Sequence, residues 1–404
     1  MPSHSDNRLD RRQFLYGSAA ALGALATSGS SVLWAAGGRR RLPLPEKSGI
    51  DHIVVAMMEN RSFDHMLGWM KQADGRQAGL VYKDRNGRPV KTFRLAPDFQ
   101  GCAYPDPDHS YDGARVEYND GLCDGWLRAG SNGLNTIGYY TRADLPFLGA
   151  AAPDWTVCSR YFAAIMGPTY PNRLYQHAAV TDRLDDSLGP TTLPTIWDSL
   201  ANAGVSGRYY HSDTSFLDLW GVKYASISAG YDQFLLDSAA GNLPAVSFVD
   251  PPLKGESSGT SADDHPVSDI RAGEAWLYQT YRAVTTSPNW KSTVLVITFD
   301  EWGGFFDHIR PDDAPDVDSA FSLRGFRVPT LIVSPFSARG AVARDIYDHT
   351  SILKMIQWRW SLPALSVRDA AANNLAGALD FSNARRKVLD YQVPAFTSAG
   401  CPGS

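Results

Sequence analysis

Residues 52–65 read His52-Ile-Val-Val-Ala-Met-Met-Glu59-Asn60-Arg-Ser-Phe-Asp64-His65, and this stretch decides the fold. The apolar run predicts a buried strand over 51–58. The strand stops at two oxygen-bearing side chains, Glu59 and Asn60, and a helix is predicted from about Phe63. In open α/β sheets, ligands bind just beyond the carboxyl ends of strands. The stretch therefore predicts a binding site at its end.

Residues 293–308 repeat this arrangement far away in the sequence. They read Thr293-Val-Leu-Val-Ile-Thr-Phe-Asp300-Glu301-Trp-Gly-Gly-Phe-Phe-Asp-His308. Two strands of one sheet that both end in hard oxygen donors predict a shared metal site. The alternative is that both are ordinary solvent-facing strand ends.

Helices and strands alternate along the rest of the chain. Further strands are predicted over 207–211, 244–250 and 328–334, and helices over 194–203, 267–284 and 351–360. This alternation predicts an α/β fold with a mostly parallel sheet covered on both faces. We expect one domain over 45–404.

Residues 71–160 interrupt the alternation because they are rich in Gly, Asp, Pro and aromatic residues. They contain Asn86-Gly87, a hairpin turn signal, between two short apolar runs. The segment is predicted to be a loop-rich insertion that lies over the sheet as a lid or pocket wall.

The N-terminus carries a targeting signal. Arg11-Arg12-Gln-Phe14-Leu15 precedes an apolar run that is too short to span a bilayer. This pattern is typical of a twin-arginine signal peptide, predicted over 1–36. The protein is therefore expected to use the twin-arginine export machinery and to be periplasmic or secreted.

The net charge and the cysteines bear on the class of ligand and on disulfide formation. The net charge is −5, and removing residues 1–36, which carry three Arg and two Asp, leaves about −6. A net negative charge argues against nucleic-acid binding, which requires a basic patch. Among the four cysteines, Cys102 and Cys123 are predicted to pair after export because they share one loop-rich segment.

A third motif reads Gly167-Pro168-Thr169-Tyr170-Pro171-Asn172-Arg173-Leu174. Gly and Pro predict a sharp turn, and Pro171 suits the first turn of a helix. Thr169 would then lie at a helix N-terminus, where free amides favour an anion. Thr169 alone reads as a helix cap, but beside two oxygen-rich strand ends it is a candidate nucleophile.

Four histidines are predicted in loops or at strand termini: His109, His211, His265 and His308. Each could hydrogen-bond an anionic substrate or protonate a departing alkoxide. The alternative for each is an exposed loop histidine without a role.

The three blocks Glu59–His65, Gly167–Arg173 and Phe299–His308 resemble the signature blocks of the bacterial phospholipase C and acid phosphatase family of phosphoesterases, in order over about 51–360. The resemblance implies an alkaline-phosphatase-like three-layer α/β/α sandwich. It implies that Glu59, Asn60, Asp300 and Glu301 hold a divalent metal and that Thr169 is both ligand and nucleophile. His109, His211, His265 and His308 match the family's active-site histidines less tightly.

The expected function is therefore that of an exported, metal-dependent phospholipase C. It would cleave phosphatidylcholine-like diesters to diacylglycerol and a phosphorylated head group through a phosphothreonine intermediate, with His265 or His308 as the proton donor. Oxygen ligands suit Ca, Mg or Mn, while Zn and Fe stay open. A quaternary ammonium would lie against aromatic faces. The candidate aromatic walls are Trp126, Tyr139, Tyr140, Trp155 and Trp302.

Two alternatives stay open: a nonspecific acid phosphatase on the same residues, and a non-catalytic secreted binding protein. A sulfatase is disfavoured because Thr169, Pro171 and Arg173 only echo the C-x-P-x-R motif. The tail over 365–404 is too short for the β-rich domains of longer phospholipases C. Because the chain has no room for those domains in this tail, the sequence does not decide whether the substrate is a membrane lipid or whether the protein contacts a membrane peripherally.

Overall fold

The two apolar runs form adjacent parallel strands in the middle of an eight-stranded sheet. The computed structural model describes residues 41–384 and 387–402, so the predicted signal peptide over 1–36 lies outside the described residues. In the described part of the chain, no helix combines the length and apolar character needed to cross a membrane.

The strands are β1 (His52–Met58), β2 (Val81–Lys83), β3 (Pro89–Lys91), β4 (Phe93–Arg94), β5 (Gly138–Tyr139), β6 (Thr156–Cys158), β7 (Gly207–His211), β8 (Ser228–Gly230), β9 (Val246–Asp250), β10 (Thr293–Phe299), β11 (Leu331–Val333) and β12 (Val342–Ala343). The helices are α1 (Phe63–Leu67), α2 (Tyr111–Tyr118), α3 (Leu148–Ala151), α4 (Thr169–Ala178), α5 (Ile196–Asn202), α6 (Tyr231–Ala240), α7 (Ile270–Thr285), α8 (His349–Trp360) and α9 (Val367–Ala371).

The strand order of the large sheet is β12-β6-β11-β10-β1-β9-β7-β8. Most neighbours are parallel, but β11 runs antiparallel to both β10 and β6. The predicted mostly parallel sheet is confirmed. The strand predicted over 328–334 is shorter than expected because Pro329 has no N–H to extend the ladder.

The register of the central pair positions the site. Met58 pairs with Phe299, so Glu59 and Asn60 leave the sheet beside Asp300. Every residue of β10 is buried, which explains its unbroken apolar pattern. Two segments about 240 residues apart in sequence thus end at one edge of the sheet.

The helices pack against the sheet and one another in two groups. Helices α6 and α7 contact each other and the strands β1, β7, β8, β9 and β10, while α8 contacts α4 and α9. This is the predicted three-layer α/β/α fold. Helix α8 begins two residues earlier than predicted because Asp348 caps it, with its side chain accepting from the N–H of Thr350.

The segment over 71–160, predicted as a loop-rich insertion, contains both a hairpin and a strand of the large sheet. Strands β2 and β3 form the hairpin around Asn86-Gly87. However, Thr156–Cys158 is a strand of the central sheet, so the loop-rich segment ends before it. The composition does not show where the loop-rich segment ends, because β6 is only three residues long.

The predicted disulfide is wrong. Cys102 pairs with Cys401, at a sequence separation of 299, and Cys123 is a buried free cysteine. The C-terminal tail therefore returns to the loop that follows β4, an arrangement that cysteine spacing does not reveal.

Candidate active site

Thr169 is the first residue of α4, with Pro168 as the N-cap residue. Its hydroxyl donates to Glu59 Oε2 at 3.1 Å and lies 3.5 Å from Asn60 Oδ1. The third motif therefore meets the end of β1, as the sequence predicts. A helix of ten residues directs its free amides and the positive end of its dipole toward this point, which favours an anionic substrate.

Asn60 is held in one orientation by His109. Nδ1 of His109 donates to the carbonyl of Pro107 at 2.8 Å, so Nε2 accepts from Asn60 Nδ2 at 3.4 Å. Oδ1 of Asn60 must then face Thr169. The backbone of Asn60 is left-handed (φ 56°), a conformation that Asn tolerates. Gly303 is required beside it, since a Cβ there would lie 2.2 Å from the Asn60 carbonyl oxygen.

Asp300 and Glu301 each keep one buried oxygen without a donor. Oδ1 of Asp300 accepts from the N–H groups of Asn60 and Glu301 at 3.0 and 2.6 Å, whereas its Oδ2 has no hydrogen-bond partner. Oε2 of Glu301 accepts from the Gly303 N–H at 2.7 Å, and its Oε1 has no partner. Buried carboxylate oxygens of this kind fit a hard divalent cation.

Arg173 partly neutralises the acidic cluster from behind. Its Nε donates to Glu59 Oε1 at 2.8 Å, and its Nη1 lies 3.1 Å from Asp250 Oδ2. Its Nε also lies 4.0 Å from Asp300 Oδ2. Burial alone would raise the pKa of Glu59, but the charge of Arg173 and hydrogen bonds outweigh burial, and the net pKa is lowered. Glu59 is thus an ionised acceptor for the hydroxyl of Thr169.

The pKa of Asp300 moves the opposite way. Burial and the nearby charge of Glu59 raise it well above its usual value, and Arg173 offsets only part of that rise. Two close buried carboxylates with opposite pKa shifts are typical of a functional site. A bound cation would favour the ionised form of both.

A cavity of about 620 Å³ opens onto Thr169. Its walls include Glu59, His109, Thr169, Tyr170, Arg173, Asp186, Phe216, Asp218, Lys254, Glu256 and His265. The aromatic walls predicted from the sequence are wrong. Trp126, Tyr140, Trp155 and Trp302 are buried in the core, and Tyr139 is not a wall of the cavity. Tyr170 and Phe216 take this place instead.

His265 lies on the wall of this cavity. Its backbone N–H donates to Asp263 Oδ1 at 2.9 Å, and its Nδ1 contacts the carbonyl of Pro266. Nε2 lies 3.9 Å from Asp106 Oδ2. Burial lowers the pKa of His265, although the charge of Asp106 opposes this. Asp106, His109 and His265 offer possible metal-ligand atoms within 4.8 Å of one another.

The other two predicted histidines are not walls of the cavity. His211 ends β7, where it pairs in register with Asp250, and its Nδ1 has no hydrogen-bond partner. His308 is bonded through Nδ1 to Asp64, and its Nε2 lies 3.6 Å from Asp74. His308 therefore belongs to a separate cluster, and the structure does not bring it to Thr169.

The His308 cluster predicts a pH-dependent contribution to stability. Burial lowers the pKa of His308, but the hydrogen bond and charge of Asp64 raise it more, so the folded pKa exceeds the unfolded one. The contribution is then fully present below the unfolded pKa of about 6.5 and is lost as pH rises through the folded pKa. His308→Gln should cost about 1–3 kcal/mol at pH 5.5 and less at pH 9, measured by urea unfolding of both proteins. An equal cost at both pH values would contradict this pairing.

Three residues at the site are not among those predicted from the sequence: Arg173, Asp186 and Asp263. Arg173 lies four residues after Thr169, on the same face of α4, so its position in the motif was the available signal. Asp263 lies two residues before His265 and accepts from its backbone N–H. Asp186 accepts from the N–H of Tyr170 at 2.7 Å and carries no sequence signal at all.

The chain matches the Phosphoesterase family over residues 50–363 and belongs to it. It is 30% identical to "Phospholipase C B" of Mycobacterium tuberculosis, an alignment that covers 96% of this chain and 89% of that protein. It is 31% identical to "Non-specific phospholipase C6" of Arabidopsis thaliana, over 81% of this chain and 71% of that protein. A solved structure from Vibrio parahaemolyticus, a protein in the alkaline phosphatase superfamily, has 9% identity and a TM-score of 0.40 and covers 80% of this chain and 69% of its own.

The family match and the two sequence relatives confirm the family predicted from the three motif blocks. The chain is a phosphoric ester hydrolase similar to phospholipase C.

Proposed function

We propose that the protein is a metal-dependent phospholipase C that transfers the phosphorylated head group of a phosphatidylcholine-like diester to Thr169 and then to water. The observation that carries this proposal is the hydrogen bond from Thr169 Oγ1 to the ionised Glu59, on the wall of a large cavity. A hydroxyl beside an acceptor, at a helix N-terminus that favours anions, is the arrangement that nucleophilic phosphoryl transfer requires.

In the first step Thr169 Oγ attacks phosphorus, and the bond from phosphorus to the diacylglycerol oxygen breaks. Glu59 Oε2 receives the hydroxyl proton of Thr169. His265, in its doubly protonated form, gives the Nε2 proton to the departing alkoxide. Asp106 Oδ2, 3.9 Å away, favours this form, while burial lowers the pKa of His265 and so makes it a stronger acid. Water then attacks phosphorus and the bond from phosphorus to Thr169 Oγ breaks. Glu59 returns its proton to Thr169 Oγ and His265 takes a proton from the attacking water, which releases phosphocholine and restores both groups.

Glu59, Asn60, Thr169, Asp300 and Glu301 would hold a divalent cation here. When bound, the cation would lower the pKa of the Thr169 hydroxyl and offset the charge of the phosphoryl oxygens. The oxygen donors favour a hard cation such as Ca, Mg or Mn. The unpartnered buried oxygens of Asp300 and Glu301 support this assignment.

The cavity walls favour a cationic head group. Besides Glu59, the cavity is lined by Asp186, Asp218 and Glu256, with Lys254 as a basic wall residue. Burial and the charge of Glu59 raise the pKa of Glu256 to about 10, so Glu256 adds no negative charge near pH 7. Arg173 is already paired with Glu59 and Asp250. Aromatic faces of Tyr170 and Phe216 lie in the same cavity and could contact a quaternary ammonium.

Export by the twin-arginine route, to the periplasm or the medium, is part of the proposal. The Arg11-Arg12 motif supports it. The disulfide between Cys102 and Cys401 supports it as well, since such bonds persist mainly in oxidising compartments.

The test is the intact mass of the protein after brief incubation with substrate and acid quench, followed by peptide mapping. With a phosphatidylcholine diester, we expect a phosphocholine adduct on Thr169. With a simple monoester, the adduct would be a phosphoryl group on the same residue. Comparing the amounts and turnover of the two substrates separates phospholipase C from the acid phosphatase alternative.

Three outcomes would count against the proposal. An adduct on another residue would remove Thr169 as nucleophile. Strong preference for the monoester would leave an acid phosphatase. No adduct and no turnover with either substrate, in the presence of added Ca, Mg or Mn, would favour the non-catalytic binding protein.

A further inference from the structure

The last described residues of the chain run across the loop that forms one wall of the cavity. We define the C-terminal strap as residues 398–401 and the wall loop as residues 252–264. The strap is covalently fixed by the disulfide between Cys401 and Cys102. The wall loop contributes Leu253, Lys254 and Glu256 to the cavity.

Three hydrogen bonds join the strap and its neighbours to the wall loop. Cys401 donates its N–H to the carbonyl of Ser258 at 2.8 Å, and Ser398 Oγ donates to the carbonyl of Gly259 at 2.5 Å. Gln100, two residues before Cys102, donates to the same Gly259 carbonyl at 3.0 Å. The disulfide therefore brings together two segments that both bind the tip of the wall loop.

Close packing also fixes the contact. A Cβ at Gly400 would lie 2.8 Å from the carbonyl oxygen of Ser258, and a Cβ at Gly259 would lie 2.5 Å from Gln100 Nε2. Both glycines have positive φ values, 81° and 75°. The strap thus lies against the loop backbone at a distance that side chains on these residues would prevent.

The tip of the wall loop is folded by its own turns: the N–H groups of Ser258 and Thr260 donate to the Gly255 carbonyl at 3.1 and 2.9 Å, and the N–H of Gly259 donates to the Glu256 carbonyl at 3.0 Å. The segment Lys254-Gly-Glu-Ser-Ser-Gly-Thr-Ser261 contains no large apolar side chain that could pack in the core. Its base is fixed by the bond from the Ala262 N–H to the Pro252 carbonyl at 3.0 Å. Asp213 accepts from the N–H of Lys254 at 3.0 Å. The strap and Gln100 add the contacts to Ser258 and Gly259 that join this turn to the segments on either side of the disulfide.

The C-terminal end of the wall loop contacts two residues of the active site, Glu59 and His265. Asp263 accepts from the His265 N–H at 2.9 Å through its side chain and from the Glu59 N–H at 2.8 Å through its carbonyl. A displaced wall loop would therefore change the cavity wall first and the position of His265 second.

We infer that the C-terminal strap, locked by Cys102–Cys401, is a positioning element of the active site that holds the wall loop in its substrate-binding conformation. The activity readout rests on the proposed function, since it uses diester turnover. Opening the disulfide with a dithiol breaks the S–S bond, gives two cysteine thiols, and converts the reductant to its cyclic disulfide.

The test compares the wild type, the wild type reduced with a dithiol, Cys102→Ser/Cys401→Ser and Ser398→Ala. We expect KM for the diester to rise about tenfold when the disulfide is absent, because the wall loop lines the binding cavity. We expect kcat to change by no more than about threefold, because Thr169 is not part of the wall loop and the bond from the Glu59 N–H to the Asp263 carbonyl holds the end of the loop beside His265. Ser398→Ala keeps the disulfide and should give a smaller rise. Hydrogen exchange of residues 252–264 should become faster in the same order.

The controls separate positioning from general stability. Assays are run well below the Tm of each protein, and the dithiol should have no effect on the double serine variant. An unchanged KM together with unchanged exchange over 252–264 would overturn the inference, even if Tm falls. If the wild type turns over no diester, the proposed function fails, while the exchange data still decide the role of the strap.

Discussion

Replacing Thr169 by alanine is expected to lower kcat/KM for the diester by at least about 10⁴-fold, the scale on which enzymes lose activity with their nucleophile. The hydroxyl of Thr169 donates to Glu59 Oε2 at 3.1 Å. Among the described residues of the cavity wall, the other serine and threonine are Ser215 and Thr214, next to Phe216 in the sequence. Stability should change little, because Thr169 is half-buried. Steady-state kinetics and urea unfolding measure the two effects.

Thr169→Ser is the matched control, since it keeps the hydroxyl and removes only a methyl group. We expect it to retain most of the activity and to form the same adduct. If Thr169→Ala kept more than about a tenth of the wild-type rate, covalent catalysis through this residue would be ruled out.

Replacing Arg173 by methionine should be the most destabilising change. The guanidinium is 1% exposed and pairs with two carboxylates, Glu59 and Asp250, that are equally buried. Removing one partner of a buried ion pair typically costs about 3–5 kcal/mol because the remaining charge is left uncompensated. We expect a loss of this size in urea unfolding at pH 7, together with loss of turnover.

Arg173→Lys is the control for charge alone. It keeps a cation but not the paired N–H donors that contact Glu59, so partial recovery of stability is expected with activity still low. Wild-type stability in Arg173→Met would show that Glu59 and Asp250 are compensated by something other than Arg173.

The strand ends of the site could be predicted because local patterns determine them. Unbroken apolar runs place β1 and β10 inside the sheet, and parallel strands share one carboxyl edge, so Glu59 and Asp300 meet without knowledge of the intervening chain. Thr169 was predictable because Pro and Gly mark a helix start.

The remaining errors concern contacts that depend on tertiary packing. His308 lies close to Asp300 in sequence, yet its ring turns to Asp64, which also pairs with the buried Arg327. Trp126 and Trp302 are aromatic like Tyr170, but large side chains fill cores as readily as they line pockets. The partner of Cys102 was 299 residues away, a separation that no local pattern reports.

The disulfide between Cys102 and Cys401 also closes residues 102–401 into a covalent ring. The residues before Cys102 form an N-terminal arm outside this ring. Thr169, His265 and Asp300 lie within the ring, so a protease that nicks an exposed loop there leaves both fragments attached. Glu59 and Asn60 lie on the arm. A single nick at the exposed Asn86-Gly87 turn would sever the arm covalently from the nucleophile, leaving only strand pairing and packing to keep the two halves of the site together.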